Sequence, residues 1–243
     1  MKEPISKGVL YVIPTFLSDT QALGVLPMSV KKIVENLRHF IVENEKTARK
    51  NIKKIAPNVP QPELMLHVLN KFTQPEDYEQ YLNPCLQGAS VGLMSEAGCP
   101  GVADPGAEMV ALAHQKGIRV VPLVGPSSIL LSLMASGLNG QSFAFHGYLP
   151  IDKNERRVKI KELEQQSSKF SQTQIFIETP YRNVAFIKEL LRHARNDSQL
   201  CIACELTSEN ESILTQSIAE WKKVDLNTYD KRPCIFLMLS SMA

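Results

Sequence analysis

The chain has 243 residues, 44% of them hydrophobic and 21% charged, with a formal net charge of +2. This length and composition are typical of a globular protein and allow one large core or two modest ones. This net charge is too small to identify the chain as a nucleic-acid binder. Any basic surface would have to come from the way the charged residues are placed.

Cysteines and apolar runs narrow the class of protein further. The five cysteines are an odd number without the spacing of a disulfide framework, and no signal peptide is recognised, so we expect a cytoplasmic protein with reduced thiols. No apolar stretch approaches the roughly 20 residues of a membrane-spanning helix, since glycine, proline and serines interrupt residues 120–134. We therefore expect no membrane partner.

The first half of the chain alternates short apolar runs with helical patterns. The runs predict strands at Val9–Ile13, Phe40–Val42, Leu64–Leu69, Val91–Met94 and Arg119–Leu123. Apolar spacing, a proline start and glycine stops predict helices at Met28–Phe40, Pro75–Gln87 and Ser127–Ser136. The segment Glu43–Lys50 is charged, and a proline-rich stretch follows it.

A strand that runs into Leu149 and Pro150 predicts a hinge, and with it a boundary between domains 1–148 and 149–243. Thr179 and Pro180 have the form of a cap and a first helical residue. In the second half, the predicted strands are 174–177, 199–204, 212–214 and 233–239, and the predicted helices are 155–166, 180–193 and 218–224.

Two glycine- and proline-rich turns, Ser95–Gly106 and Val124–Ser128, each follow a predicted buried strand. In an open α/β sheet, ligands bind outside the carboxyl ends of the strands, where both turns would lie. Their small residues let backbone groups approach a ligand closely, which suits a neutral adenine and ribose better than a phosphate chain. One such turn is usually a plain connection, but two on adjacent strands favour a site for an adenosyl cofactor.

Several common sites are absent from the sequence. It has no G-x-x-x-x-G-K-[ST] loop and no G-x-G-x-x-G after the first strand, which removes support for nucleoside triphosphates and ordinary dinucleotides. It has no zinc pattern and no G-x-S-x-G elbow, and its five histidines are scattered. Cys201 and Cys204 have redox-like spacing, but they lie in an apolar run that favours a buried strand over a catalytic or metal pair.

The turn at Ser95–Gly106 resembles the S-D-A-G-T-P-x-I-S-D-P-G loop of the tetrapyrrole-methylase-like, S-adenosylmethionine-dependent methyltransferases. Within this family the chain resembles the ribosomal RNA small subunit methyltransferase I group, which methylates a cytidine 2′-hydroxyl. Further segments resemble family motifs in the same order, namely Gly8–Val12, Glu43–Lys50, Pro122–Ser128, Phe145–Pro150, Glu178–Arg182 and Glu205–Thr207.

The resemblance implies an α/β fold of two domains and a homodimer. The first domain would have a mainly parallel sheet with helices on both faces, and the second a smaller mixed sheet. S-adenosyl-L-methionine would lie in the cleft between them. Motif positions imply that the cofactor contacts Pro14, Thr15, Cys99, Pro100, Gly101, Val102, Ser127, Ser128, Phe176, Ile177 and Pro233.

Methyl transfer from a sulfonium is an in-line displacement, so the protein mainly aligns the nucleophile and the methyl group. A ribose hydroxyl is a poor nucleophile whose proton must be accepted, and the candidates for this role are Glu43, Lys46 and Glu178. The resemblance places the acceptor RNA near Arg49, Lys50 and Arg182. The basic residues of 46–54 favour a phosphate-binding face, although a solvated helix would have a similar pattern.

Departures from the family pattern keep three hypotheses open. The first loop lacks the glycine of the family's T-P-I-G-N-L, and Asn44 stands where the family has aspartate. The first hypothesis is a methyltransferase whose partner is ribosomal RNA or the small ribosomal subunit. The second is a methyltransferase for a small molecule of the tetrapyrrole type. The third is a cofactor-binding protein with little catalysis, which Cys99, Asn44 and the lost glycine favour.

Overall fold

A computed structural model describes residues 6–19 and 24–240. The chain forms two compact units, Met1–Ser127 and Ser128–Ala243, and each unit contains a five-stranded sheet. This division lies earlier than the predicted boundary at residue 148. The reason is that Phe143–Tyr148, predicted as the end of the first domain, pairs with Thr173–Ile177 and so belongs to the second sheet.

The first unit contains a parallel sheet with the strand order β3-β2-β4-β1-β5. Its strands are β1 Val9–Ile13, β2 His39–Val42, β3 Met65–Val68, β4 Val91–Met94 and β5 Arg119–Pro122. Its helices are α1 Met28–Glu35, α2 Glu45–Ile55, α3 Tyr78–Tyr81, α4 Asn83–Leu86 and α5 Ala107–Gln115. All four residues of β4 are buried, as expected for a strand that is covered on both faces.

Alternating side chains of the strands supply two separate cores. In β2, Phe40 and Val42 pack in one core with helices α1 and α2, whereas Ile41 packs in the other with α4 and α5. The prediction of a parallel sheet with helices on both faces is therefore confirmed. Two helices are shorter than predicted. Helix α1 ends at Glu35, before β2 begins. The segment at residues 75–87 is divided near Pro84, which lacks an amide hydrogen.

The second unit contains a mixed sheet with the strand order β6-β7-β10-β8-β9. Strands β6 and β7 are parallel and the other pairs are antiparallel, so the predicted mixed sheet is confirmed, with as many strands as the first. The strands are β6 Phe143–Tyr148, β7 Thr173–Ile177, β8 Gln199–Cys204, β9 Ser212–Ser217 and β10 Cys234–Leu239. The helices are α6 Ser128–Ser136, α7 Lys153–Phe170, α8 Asn183–His193 and α9 Ile218–Trp221.

Aromatic side chains fill the core of the second unit. The rings of Phe176, Phe186 and Phe236 lie 5.1–6.1 Å apart, and all three side chains are buried. The indole of Trp221 donates a hydrogen bond to the Leu200 carbonyl at 2.7 Å. Cys201 and Cys204 are buried in β8, which confirms the interpretation of their spacing as a strand. Within the described part of the chain, no helix is long and apolar enough to cross a membrane.

A buried polar network joins α7 to the end of β10. The Glu164 carboxylate accepts hydrogen bonds from the Arg195 amide and the Ser198 hydroxyl, both at 2.7 Å, and Ser198 is 2.8 Å from the Ser240 hydroxyl. We predict that Ser198→Ala destabilises the protein by about 1–3 kcal/mol, because it removes one of the two donors to the Glu164 carboxylate and takes away the partner of the buried Ser240 hydroxyl. Denaturant titration measures this, with Ser29→Ala on the exposed face of α1 as the control. Equal stability of the two variants would show that the network contributes nothing.

Candidate functional site

Three loops meet at the carboxyl edge of the first sheet. The Thr15 amide, after β1, donates to the Gly98 carbonyl at 2.8 Å, and the Thr15 hydroxyl is 3.3 Å from the Ser95 carbonyl. The Cys99 thiol lies 3.5 Å from the Pro126 carbonyl, so the two predicted ligand loops contact each other. We predicted that the strands before these two loops are adjacent, and this prediction is wrong, because β1 lies between β4 and β5. This order brings the β1 loop between the two glycine-rich loops.

Glycines permit this close approach. A Cβ atom on Gly125 would lie 2.4 Å from the Cβ of Pro14, closer than folded proteins allow. In the loop after β4, Gly98 and Gly101 each have φ of +76° and Gly106 has φ of +131°, which other residues rarely adopt. The backbone of these loops is therefore shaped by residues without side chains, which leaves main-chain groups accessible to a ligand.

The predicted cofactor residues of the first unit differ in exposure. Pro14, Thr15 and Pro100 are buried beneath the loops. Cys99 and Gly101 are half-buried, and Ser127 and Ser128 are half-buried at the end of the third loop. The Val102 side chain is exposed. These residues lie on the three loops that contact each other. The structure therefore brings together the cofactor residues predicted in the first unit and Ser128, which follows directly.

The charged groups around these loops are acidic. The segments 95–106 and 124–128 contain no lysine or arginine, and Glu96 and Asp104 are their only charged residues. Glu43 follows β2 directly and lies beside the loop after β4, since Val42 pairs with Met94. Burial raises the pKa of Glu43, and the carboxylates of Asp104 and Glu96 raise it further. Burial likewise raises the pKa of Asp104.

Glu43 differs from the other two candidate proton acceptors in its contacts. Its Oε2 is buried without a hydrogen-bond partner among the described residues. The Glu178 side chain is 1% exposed, and its Oε1 accepts from the Thr179 amide at 2.7 Å and from the Arg182 guanidinium at 2.7 and 3.0 Å. Lys46 is exposed on the first turn of α2. Of the three, Glu43 has the buried carboxylate oxygen that lacks a hydrogen-bond donor among the described residues.

The charged segment forms α2, which Asn44 caps by accepting the Thr47 amide at 3.1 Å. Arg49 binds the Glu45 carboxylate and donates to the Gln61 carbonyl at 2.7 Å, so it tethers the helix to the following loop. Lys50, by contrast, binds the exposed carboxylate of Asp19. Sequence reasoning missed Asp19, because nothing local to it indicates a partner in α2.

The predicted cofactor residues of the second unit lie near the carboxyl end of β7 and the amino end of β10. Ile177 ends β7 and pairs with Ile235, and Pro233 precedes β10 with its carbonyl accepting the Glu205 amide at 2.8 Å. Phe176 pairs with Phe236 in the sheet, packs in the aromatic core and is 0% exposed, so the structure buries this predicted cofactor residue whole.

Comparisons with known proteins show a sequence relationship to curated proteins and a fold shared with solved structures. No protein-family model matches the chain. Ribosomal RNA small subunit methyltransferase I of Vibrio cholerae serotype O1 is 30% identical over 217 residues, which cover 89% of this chain and 71% of that protein.

Among solved structures, the methyltransferase CobJ has a TM-score of 0.64 at 13% identity, covering 96% of this chain and 94% of that one. Uroporphyrin-III C-methyl transferase from Thermus thermophilus, complexed with S-adenyl homocysteine, has a TM-score of 0.55 at 17% identity, covering 96% and 97%. These two likenesses confirm the predicted fold.

Proposed function

The chain belongs to the ribosomal RNA small subunit methyltransferase I family, and we propose that it methylates a ribose 2′-hydroxyl of small-subunit ribosomal RNA. Its cofactor is S-adenosyl-L-methionine. One observation carries the proposal: three loops that contact each other through hydrogen bonds lie beside a carboxylate, Glu43, whose Oε2 is buried without a partner among the described residues. The loops would hold the methyl donor, and the carboxylate would accept the proton of the acceptor hydroxyl.

The residues present fit this cofactor in shape and in charge. The glycine-rich loops leave no room for a side chain where Gly125 contacts Pro14, and their uncharged backbone groups suit adenosine. The neighbouring carboxylates favour a cationic sulfonium and disfavour a phosphate chain. When bound, the sulfonium supplies the electrophilic methyl group together with its own leaving group.

We propose that the cofactor is held by the residues that the family motifs indicate. From the first unit and the loop end these are Pro14, Thr15, Cys99, Pro100, Gly101, Val102, Ser127 and Ser128, and from the second sheet Phe176, Ile177 and Pro233. Thr15 and Gly98 fix the loops to each other through their hydrogen bond, which keeps the main-chain groups in position before the cofactor arrives.

Glu43 is our proposal for the group that accepts the hydroxyl proton. A carboxylate whose pKa is raised is a stronger base than an ordinary one, and burial beside Asp104 and Glu96 gives Glu43 this property. Arg182 and Thr179 already occupy Oε1 of Glu178, which favours a positioning role for that residue. Arg49, Lys50 and Arg182 remain proposed contacts to the acceptor, and Lys46 remains an alternative candidate for the proton acceptor.

Transfer of a labelled methyl group from S-adenosylmethionine into small ribosomal subunits and their RNA tests this function. We expect label in the ribose of the RNA. Label in a tetrapyrrole precursor and none in RNA would instead establish the small-molecule methyltransferase. Tight cofactor binding without transfer to either acceptor would establish a binding protein that lacks catalysis.

We also propose that the protein works in the cytoplasm as a homodimer. All five cysteines are free in the structure, which suits a reducing compartment. The homodimer follows from the family resemblance, and light scattering of the purified protein tests it through the molar mass. A mass of one chain at micromolar concentration would overturn the dimer.

A further inference from the structure

Helix α2 presents two lysines to a single carboxylate. Lys50 and Lys54 are one helical turn apart and so lie on the same face of α2. The Lys50 ammonium lies 3.0 and 2.8 Å from the two carboxylate oxygens of Asp19, and the Lys54 ammonium lies 2.8 Å from one of them. The two cations exceed the single anion by one charge, so the lysine pair (Lys50 and Lys54) attracts anions even with Asp19 in place.

The Asp19 carboxylate is held by this pair but remains open to solvent. Its side chain is 74% exposed, and Lys50 is 55% exposed. The two ammonium groups lower the pKa of Asp19 to about 2, so this carboxylate is ionised at neutral pH. Exposed ion pairs contribute only about 0–1 kcal/mol each, so another anion can displace the carboxylate at small cost.

The lysine pair also lies near the proposed acceptor site. A cavity of about 260 Å³ is lined by Asp19, Lys50, Thr47 and Glu96, among others. Glu96 is in turn one of the two carboxylates that act on Glu43. Glu96 therefore lines the same cavity as Asp19 and Lys50 and also affects the pKa of Glu43, the proposed proton acceptor.

We propose that the lysine pair binds a phosphodiester of the acceptor RNA, and that Asp19 occupies the phosphate position when RNA is absent. This inference rests on the proposed function. A carboxylate and a phosphodiester both carry one negative charge on two oxygens, so the exchange preserves the charge balance of the site. Lysine ammonium groups bind phosphate as point charges and impose no sequence preference. The site therefore positions the RNA backbone and leaves the choice of base to other contacts.

Binding of a short labelled single-stranded RNA, followed by fluorescence anisotropy over a series of salt concentrations, tests the site. Asp19→Asn removes the competing carboxylate and is expected to tighten binding by about three- to tenfold at low salt. The double variant K50Q/K54Q is expected to weaken binding and to reduce the slope of log affinity against log salt by about 1–2.

Asp197→Asn is the matched control, because it makes the same change of charge in an exposed ion pair with Arg195 on the second unit. It should leave the affinity unchanged. RNA binding by Asp19→Asn that is no tighter than that of Asp197→Asn would overturn the proposal. So would an unchanged salt slope in K50Q/K54Q, or the absence of RNA binding by every variant.

Methyl transfer measured in the same variants separates this inference from the proposed function. Tighter RNA binding by Asp19→Asn without any transfer to RNA would support the phosphodiester site and overturn the proposed activity. Methyl transfer by the wild-type protein, with no effect of Asp19→Asn on RNA affinity, would support the proposed activity and overturn the phosphodiester site.

Discussion

Glu43→Gln is expected to reduce the rate of methyl transfer to small-subunit RNA by about 100-fold or more, the usual contribution of a positioned base. The glutamine amide fills nearly the same space but cannot accept the hydroxyl proton. Binding of S-adenosylhomocysteine, which lacks the sulfonium charge, should remain within about twofold of wild type, because the loops that hold the cofactor are unchanged. Initial rates with labelled cofactor and calorimetric titration measure the two quantities separately.

The same substitution should stabilise the folded protein at neutral pH. The pKa of Glu43 in the folded protein lies above its usual value of 4.5, so the ionised carboxylate is disfavoured there relative to the unfolded chain. Its contribution to stability is complete below pH 4.5 and is lost as the pH rises through the raised pKa. The advantage of Glu43→Gln is therefore expected at neutral pH and absent below pH 4.5. Thermal unfolding over a pH series checks this sign.

Glu63→Gln is the control for both measurements. Glu63 is an exposed carboxylate of the same unit that pairs with Arg38, so its neutralisation should leave methyl transfer unchanged and stability unchanged or slightly lower. A wild-type rate in Glu43→Gln would remove Glu43 from the mechanism and direct the test to Lys46 and Glu178. Loss of rate together with loss of stability would point to a structural role.

Gly125→Ala is expected to weaken cofactor binding by about tenfold or more, through displacement of one loop from another. The added Cβ would lie 2.4 Å from Pro14 Cβ and 3.0 Å from a Leu26 methyl group, so the loops after β1 and β5 must move apart. We expect a loss of stability of about 1–3 kcal/mol, which overpacking usually causes. Calorimetric titration with S-adenosylhomocysteine measures the affinity, and circular dichroism verifies folding.

Gly140→Ala provides the matched control, because a Cβ there would meet no atom within 4 Å. Ser127→Arg gives an independent test, since it adds a long cation at the end of the third loop and should abolish cofactor binding with the fold intact. Wild-type affinity in both Gly125→Ala and Ser127→Arg would place the cofactor away from these loops.

Local patterns in the sequence predicted the strands well where polar or turn residues bound an apolar run. Val9–Ile13, Val91–Met94 and Gln199–Cys204 have the predicted bounds, because each is a short, mainly apolar run with a polar or turn residue on either side. The helix predicted at Met28–Phe40 extended too far, since Phe40 continues the helical spacing of its apolar residues. Phe40 instead belongs to β2, where it pairs with β3 and β4, as the overlapping strand predicted at Phe40–Val42 indicates.

Features that depend on distant contacts were the ones that sequence reasoning missed. The compact units divide before the boundary predicted at residue 148, because the partner of β6 is β7, which lies beyond α7 in the chain. The order of β4, β1 and β5 was missed for the same reason, although the convergence of their loops was predicted. Asp19 is separated from Lys50 and Lys54 by more than 30 residues, so no local spacing indicates their contact.

A crystal structure with S-adenosylhomocysteine tests the central claim most directly. The account predicts that its adenosine contacts main-chain atoms of Cys99–Val102 and the loop at Ser127, with the Glu43 carboxylate nearer to the sulfur than Lys46 or Glu178. Electron density for the ligand away from the loops after β1, β4 and β5 would contradict the account.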